Sequence, residues 1–126
     1  MAALKTSRSL RGTSILIVED EPLIALEIHA ALAPTGASII AATSGTEALA
    51  LIYSADVSAA VLDINLGDRD CSRLCQALFR RGIPFLFYTG HANGKILKEW
   101  PDAPLLIKPA PRGLIAERVV ALVHPS

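Results

Sequence analysis

Short apolar runs alternate with amphipathic stretches five times along this chain. The runs are Ser14–Val18, Ser38–Ala42, Ala59–Leu62, Pro84–Tyr88 and Pro104–Ile107. They are continuous rather than alternating, the pattern of strands covered on both faces in a parallel sheet. Between them, apolar positions recur at helical spacing. Ile24, Ile28, Ala31 and Leu32 form one stripe, Cys71, Leu74, Cys75 and Leu78 a second, and Ile115, Val119, Leu122 and Val123 a third. The punctuation agrees. Asp20 is placed to cap the first helix with Pro22 in its opening turn, and Ser44-Gly45-Thr46-Glu47 reads as a capping box for the second. Gly36 and Gly82 stand where helices should stop before a strand. The fourth helix, about Ala92–Trp100, is the least regular, with Gly94 inside it and Pro101 ending it. Five βα units in about 110 residues predict a right-handed, doubly wound α/β domain.

Composition narrows the picture. A length of 126 residues fits a single domain, and 52% hydrophobic against 19% charged residues excludes intrinsic disorder. Twelve Lys and Arg are balanced by 12 Asp and Glu, so the excess positive charge of a non-specific nucleic-acid binder is missing. One Trp, two Tyr and three Phe are too few for a base-stacking platform. No apolar run approaches the ~20 residues of a membrane-spanning helix. The start of the chain is basic (Lys5, Arg8, Arg11), but the first apolar run meets Glu19-Asp20-Glu21, which a signal peptide would not tolerate. Residues 1–13 are therefore expected to be a basic N-terminal arm and 14–124 the folded domain. The expected setting is the cytoplasm, with neither membrane nor nucleic acid as partner. Cys71 and Cys75 read as small core filler on one helix face, since a metal site would need two further ligands at matching spacing.

In doubly wound sheets the functional crevice lies beyond the carboxyl ends of the strands. Glu19-Asp20 follow the first run, Asp63 the third, Thr89-Gly90 the fourth and Lys108-Pro109 the fifth. Taken singly, each has a structural explanation: a solvated capping turn, a loop cap, a β-former, a surface charge. Together they put three carboxylates and one lysine in a single crevice. Like charges so gathered raise at least one carboxyl pKa unless a cation joins them. The donors are hard oxygens with no His or Cys among them, which makes Mg²⁺ the natural ion.

The motifs ILIVEDEP, AAVLDINLGD, PFLFYTGH and PLLIKP, in that order, resemble the receiver domain of two-component response regulators. The resemblance runs from Ser14 to Val123. It implies a flavodoxin-like (βα)5 fold with a five-stranded parallel sheet in the order 2-1-3-4-5, and a signalling role rather than an enzymatic one. It implies Asp63 as the phosphoacceptor and Glu19 and Asp20 as the metal-holding pair, with Asp20 the direct ligand. Asn65 matches the position whose backbone carbonyl completes the Mg²⁺ site. Thr89 matches the switch hydroxyl, and Lys108 the lysine before a cis proline, here Pro109. In such a domain Asp63 takes the phosphoryl group from a phosphohistidine of a sensor histidine kinase or phosphotransfer protein. Mg²⁺ bridges that carboxylate and one phosphoryl oxygen, Lys108 meets another, and Thr89 a third, helped by N–H groups near Asn65 and Gly90. Gly90 suits this role because a side chain would crowd the phosphate. Phosphorylation is expected to draw Thr89 inward and bias a two-state face built from the fourth helix, fifth strand and fifth helix. That face would serve protein partners or a second copy of the chain, and the domain could also release its own phosphate.

The sequence departs from the family pattern in places. Leu105 takes the family's switch position three residues before the lysine, where most receivers carry an aromatic, and Ala110 stands where an aromatic follows Lys-Pro. The stretch LDINLGD followed by RRGIPFLFYTGH is similar to a subclass with a Phe-x-Thr-Gly-Tyr-type signature, often stand-alone receivers of alphaproteobacteria, with His91 at the tyrosine position. The loop Thr89-Gly90-His91 is thus expected to carry the switch, and His91 to influence how quickly water reaches the acyl phosphate. Trp100 is expected to anchor the fourth helix, and His29 and His124 to lie at the surface. Leu114 and Val120 form either a dimer patch or tolerated surface apolars. If the chain is complete at His124-Pro125-Ser126, the output is expected to be protein–protein; if it is a fragment of a longer regulator, an effector domain supplies it.

Three other readings compete. Haloacid-dehalogenase-type phosphohydrolases share a strand-end aspartate, Mg²⁺, Thr/Ser and Lys. They place a general-acid aspartate two residues on, however, where Asn65 cannot donate a proton, and they carry the nucleophile on the first strand. A flavin-binding module would need N–H and hydroxyl donors at the first turn, where acids stand. A pseudo-receiver would bind partners without phosphorylation, although all the key side chains are present.

Overall fold

A computed structural model of the chain describes residues 9–66, 71–91 and 94–125. Its elements run β1 (Ser14–Val18), α1 (Pro22–Leu32), β2 (Ser38–Ala42), α2 (Gly45–Ser54), β3 (Ala59–Leu62), α3 (Cys71–Arg80), β4 (Phe85–Thr89), α4 (Lys95–Glu99), β5 (Leu105–Ile107) and α5 (Arg112–Val123). A 3₁₀ turn, Ala33–Thr35, extends α1. The five strands pair in parallel in the order β2-β1-β3-β4-β5, the doubly wound order expected. β1, β3 and β4 lie inside the sheet. Every residue of β3 and β4 is buried, which is why those runs read as unbroken hydrophobic stretches.

Side chains alternate across the strands into two cores. Leu16, Val18, Ala60, Leu62, Phe85 and Phe87 face α2, α3 and α4. Ile15, Ile17, Ala59, Val61, Leu86, Tyr88 and Leu106 face α1 and α5. Cys71 and Cys75 lie buried on the sheet-facing side of α3, as expected of core filler. Trp100 closes α4, where its N–H donates to Ile96 O at 3.1 Å and its ring packs on Phe79 and Phe85. His29 and His124 are exposed. Among the described residues no helix is long and apolar enough to cross a membrane.

Several boundaries differ from the expectation. β4 and β5 each begin one residue later, at Phe85 and Leu105. Pro84 and Pro104 have no N–H and contribute only carbonyls, accepting from Ala60 and Phe87 N–H at 3.0 and 2.9 Å. α4 is shorter than Ala92–Trp100, because Gly94 enters it at φ 123°; Ala92 and Asn93 lie outside the described residues. Pro22 opens α1, so its cap position falls on Glu21 and not on Asp20, and Glu21 makes no side-chain cap. The box at α2 is present in altered form. Ser44 Oγ accepts from Glu47 N–H at 3.2 Å, but Glu47 Oε1 reaches back to Thr43 N–H at 2.8 Å. Gly36 and Gly82 end their helical segments at φ 88° and 69°.

Leu114 and Val120 are half-buried and pack against the α1/α5 core rather than forming an open patch. Residues 1–8 of the expected arm lie outside the described residues. Leu10, still within the expected arm, is fully buried in that same core, and its N–H donates to Thr35 O at 2.8 Å.

Candidate acidic site at the carboxyl edge of the sheet

β1 and β3 are neighbours, with Val18 paired to Leu62, so the residues that follow them come out side by side. Glu19 N–H donates to Ala42 O at 3.0 Å and Asp63 N–H to Val18 O at 3.1 Å, continuing the ladder one step past each strand. This places the Glu19 and Asp63 carboxylates at the sheet edge, only 2% and 4% exposed. Exposed Asp20 completes the group: one carboxylate oxygen from each of the three lies within 4.8 Å of the others. Because Pro22 starts α1 beyond it, Asp20 stays outside the helix and faces this cluster.

Lys108 reaches the acids from the far side of β4. Its Nζ lies 2.7 Å from Glu19 Oε1 and 2.9 Å from Asp63 Oδ2. Burial opposes the charge on Lys108, but its contacts with Glu19 and Asp63 outweigh this and hold the ammonium above the usual lysine range. Burial lifts the Glu19 carboxyl above its ordinary value, against the pull of Lys108 and of the Glu21 N–H, which donates to Glu19 Oε2 at 3.1 Å. The peptide between Lys108 and Pro109 is cis, as the resemblance implied.

The remaining expected residues surround this group. Asn65 N–H donates to Asp63 Oδ1 at 3.1 Å and holds the carboxylate in place, while the Asn65 side chain is exposed. Thr89 ends β4 fully buried, and its Oγ1 accepts from His91 N–H at 3.4 Å. His91 and Gly90 are exposed. Among the described residues a Cβ on Gly90 would meet no atom within 4 Å, so their packing does not explain that glycine. Leu105 is half-buried opposite Phe87 and packs into the core on the α3 and α4 side, away from the acidic group. Sequence reasoning missed Tyr88, whose buried hydroxyl oxygen accepts from Ala110 N–H at 3.0 Å. The signal was a phenol inside an otherwise apolar buried strand, which must find a polar partner.

The donor set suits a small hard cation. Three carboxylates converge, and among the described residues buried Glu19 Oε1 meets only the Lys108 ammonium, which it shares with Asp63. A divalent ion at this edge would offset negative charge that one lysine leaves uncompensated.

A five-stranded parallel sheet in this order, with acids gathered at its carboxyl edge, is the architecture of response regulator receivers. The family model described as the response regulator receiver domain matches residues 15–112, and the chain belongs to that family. No curated protein matches the chain. Among solved structures it is similar to SdrG from Sphingomonas melonis Fr1, at 35% identity and a TM-score of 0.76, covering 88% of this chain and 96% of that one. It is also similar to a response regulator receiver protein from Sinorhizobium medicae WSM419, at 25% identity and a TM-score of 0.79, covering 93% and 98% of the two chains. The response regulator PhyR from Brucella abortus matches at 27% identity and a TM-score of 0.80 over 97% of this chain, which spans about half, 51%, of PhyR. Receiver domains are signalling domains of two-component systems that bind Mg²⁺ at an acidic pocket, and Glu19, Asp20 and Asp63 form such a cluster here.

Proposed function

We propose that residues 14–124 act as a phosphoacceptor receiver, taking a phosphoryl group onto Asp63 from the phosphohistidine of a sensor histidine kinase or phosphotransfer protein. The observation that carries this reading is the placement of the Lys108 ammonium 2.9 Å from the Asp63 carboxylate, inside a three-carboxylate cluster. Asp20, Asp63 and Glu19, with the carbonyl of Asn65, would hold Mg²⁺. Bound there, the ion would supply positive charge to offset the carboxylates and the incoming phosphoryl group.

The chain's own residues supply position and charge. Asn65 N–H and Lys108 fix the two oxygens of Asp63, so the nucleophile meets phosphorus already oriented. An O–P bond forms to give an acyl phosphate as the P–N bond to the donor histidine breaks. The electron pair returns to the imidazole, which takes up a proton. Lys108 then contacts a phosphoryl oxygen as a compact point charge. The Thr89 hydroxyl, engaged with His91 N–H in this structure, turns to another oxygen, and the loop Thr89-Gly90-His91 follows it. That movement biases the α4-β5-α5 face, through which partners or a second copy bind. Asn65 in place of a general acid, and a nucleophile after β3 instead of the first strand, weigh against phosphohydrolase chemistry.

Acetyl phosphate with Mg²⁺ tests this. Mass spectrometry should find one phosphoryl adduct, at Asp63, in the wild type and none in Asp63→Asn or without divalent metal. Equal labelling of Asp63→Asn overturns the assignment.

A further inference from the structure

The run Lys108-Pro109-Ala110-Pro111 has only two backbone N–H groups, because neither proline carries one. Both are taken by the last two residues of β4. Lys108 N–H donates to Thr89 O at 2.8 Å, and Ala110 N–H donates to Tyr88 Oη at 3.0 Å. Tyr88 is 4% exposed, with its ring in the α1/α5 core beside Leu106 and Ile115. The Lys108 ammonium lies 5.8 Å from the centre of that ring. The loop that carries the lysine is therefore fastened on both sides of Pro109 to the end of one strand.

We infer that Tyr88 is a positioning residue for Lys108; the inference rests on the phosphoacceptor reading above. A lysine after β5 must cross β4 to meet Asp63 and Glu19, and its four-carbon side chain is flexible. It reaches a fixed point beside Asp63 only if its backbone is held, and misplacement of a contacting group is costly in rate. The Thr89 carbonyl holds the backbone before Pro109 and the Tyr88 hydroxyl holds it after. Removing the phenolic oxygen leaves Ala110 N–H without its partner and the loop tethered on one side only. Tyr88 also directly precedes Thr89, so one strand end anchors the lysine loop and carries the hydroxyl that answers phosphorylation.

Tyr88→Phe keeps the ring and deletes the oxygen. Its initial rate of Asp63 labelling by acetyl phosphate should fall about tenfold, as for a lost hydrogen bond and an unsatisfied donor. Its Mg²⁺ affinity, read from amide spectra, should stay within about twofold. Added to Lys108→Ala, the substitution should slow labelling no further, because it acts through a group already removed. In metal-free buffer the Lys108 side-chain nitrogen resonance should also move in Tyr88→Phe, independently of any phosphorylation. An unchanged Lys108 resonance, an unchanged labelling rate, or losses that multiply in the double variant would each overturn the inference. A wild type that is not labelled at Asp63, combined with a shifted Lys108 resonance, would instead fault the phosphoacceptor reading and leave the positioning intact.

Discussion

The Lys108 ammonium lies 2.9 Å from Asp63 Oδ2 although β4 stands between the strands that carry them. The same ammonium touches Glu19, so two buried carboxylates share one cation. In metal-free buffer, Lys108→Met leaves those carboxylates facing each other and should cost about 2 kcal/mol. Saturating Mg²⁺ should narrow that gap, because the more negative site binds the ion more strongly. Urea unfolding of both chains, with and without Mg²⁺, measures this; a gap that metal leaves unchanged would contradict it.

Leu105 packs into the core opposite Phe87 and away from the acidic cluster, so its contribution is to stability. Leu105→Ala should cost roughly 1–2 kcal/mol, less than a fully buried leucine. Beryllofluoride-induced shifts at the Thr89, Gly90 and His91 amides should survive in this variant. Their loss would place the switch in β5 instead of the loop.

The Cys75 thiol is held well above its ordinary value of 9.0 by its hydrogen bond with Cys71, reinforced by burial. In the unfolded chain it loses its proton near the ordinary value, while the folded chain keeps it. Stability is therefore full below about pH 9 and declines as the pH rises beyond it, through the alkaline range. Urea midpoints should fall less steeply above that pH in Cys75→Ala than in the wild type. Parallel declines would show that Cys75 does not titrate differently in the two states.

Gly36 closes the turn after α1 at φ 88°, with Arg11 lying over it. A Cβ there would come within 2.6 Å of Arg11 Cγ, in a backbone region that alanine avoids. Gly36→Ala should cost about 1 kcal/mol, since the Arg11 side chain can move but the dihedral cannot. Thermal unfolding reads this, and an unchanged midpoint would show that the turn relaxes freely.

Much of this architecture was legible in the chain because parallel strands buried on both faces leave unbroken apolar runs. β1, β2 and β3 match those runs to the residue, and the acids and lysine fall just beyond the strand ends. The misreadings are local. Pro84 and Pro104 read as strand residues because they flank apolar runs, yet they lend only carbonyls. Asp20 looked like a cap, but a proline two residues later moved the start of the helix past it. Leu114 and Val120 fell outside the stripe of α5, whose inner face is wide enough to pack them. The phenol of Tyr88 signals a polar partner, but nothing in the sequence names Ala110 as that partner or pairs Lys108 with Glu19. Each contact spans many residues and depends on where two strand ends meet in space.

Titration of the wild type with beryllofluoride and Mg²⁺, followed through its amide spectrum, examines the site as a whole. If Glu19, Asp20 and Lys108 prepare Asp63 for a phosphoryl group, the amides of Asp63, Asn65, Thr89 and Lys108 should shift together to saturation, and Asp63→Asn should show none of these changes. Shifts that persist in Asp63→Asn, or a wild-type spectrum that stays still at saturating ligand, would contradict it.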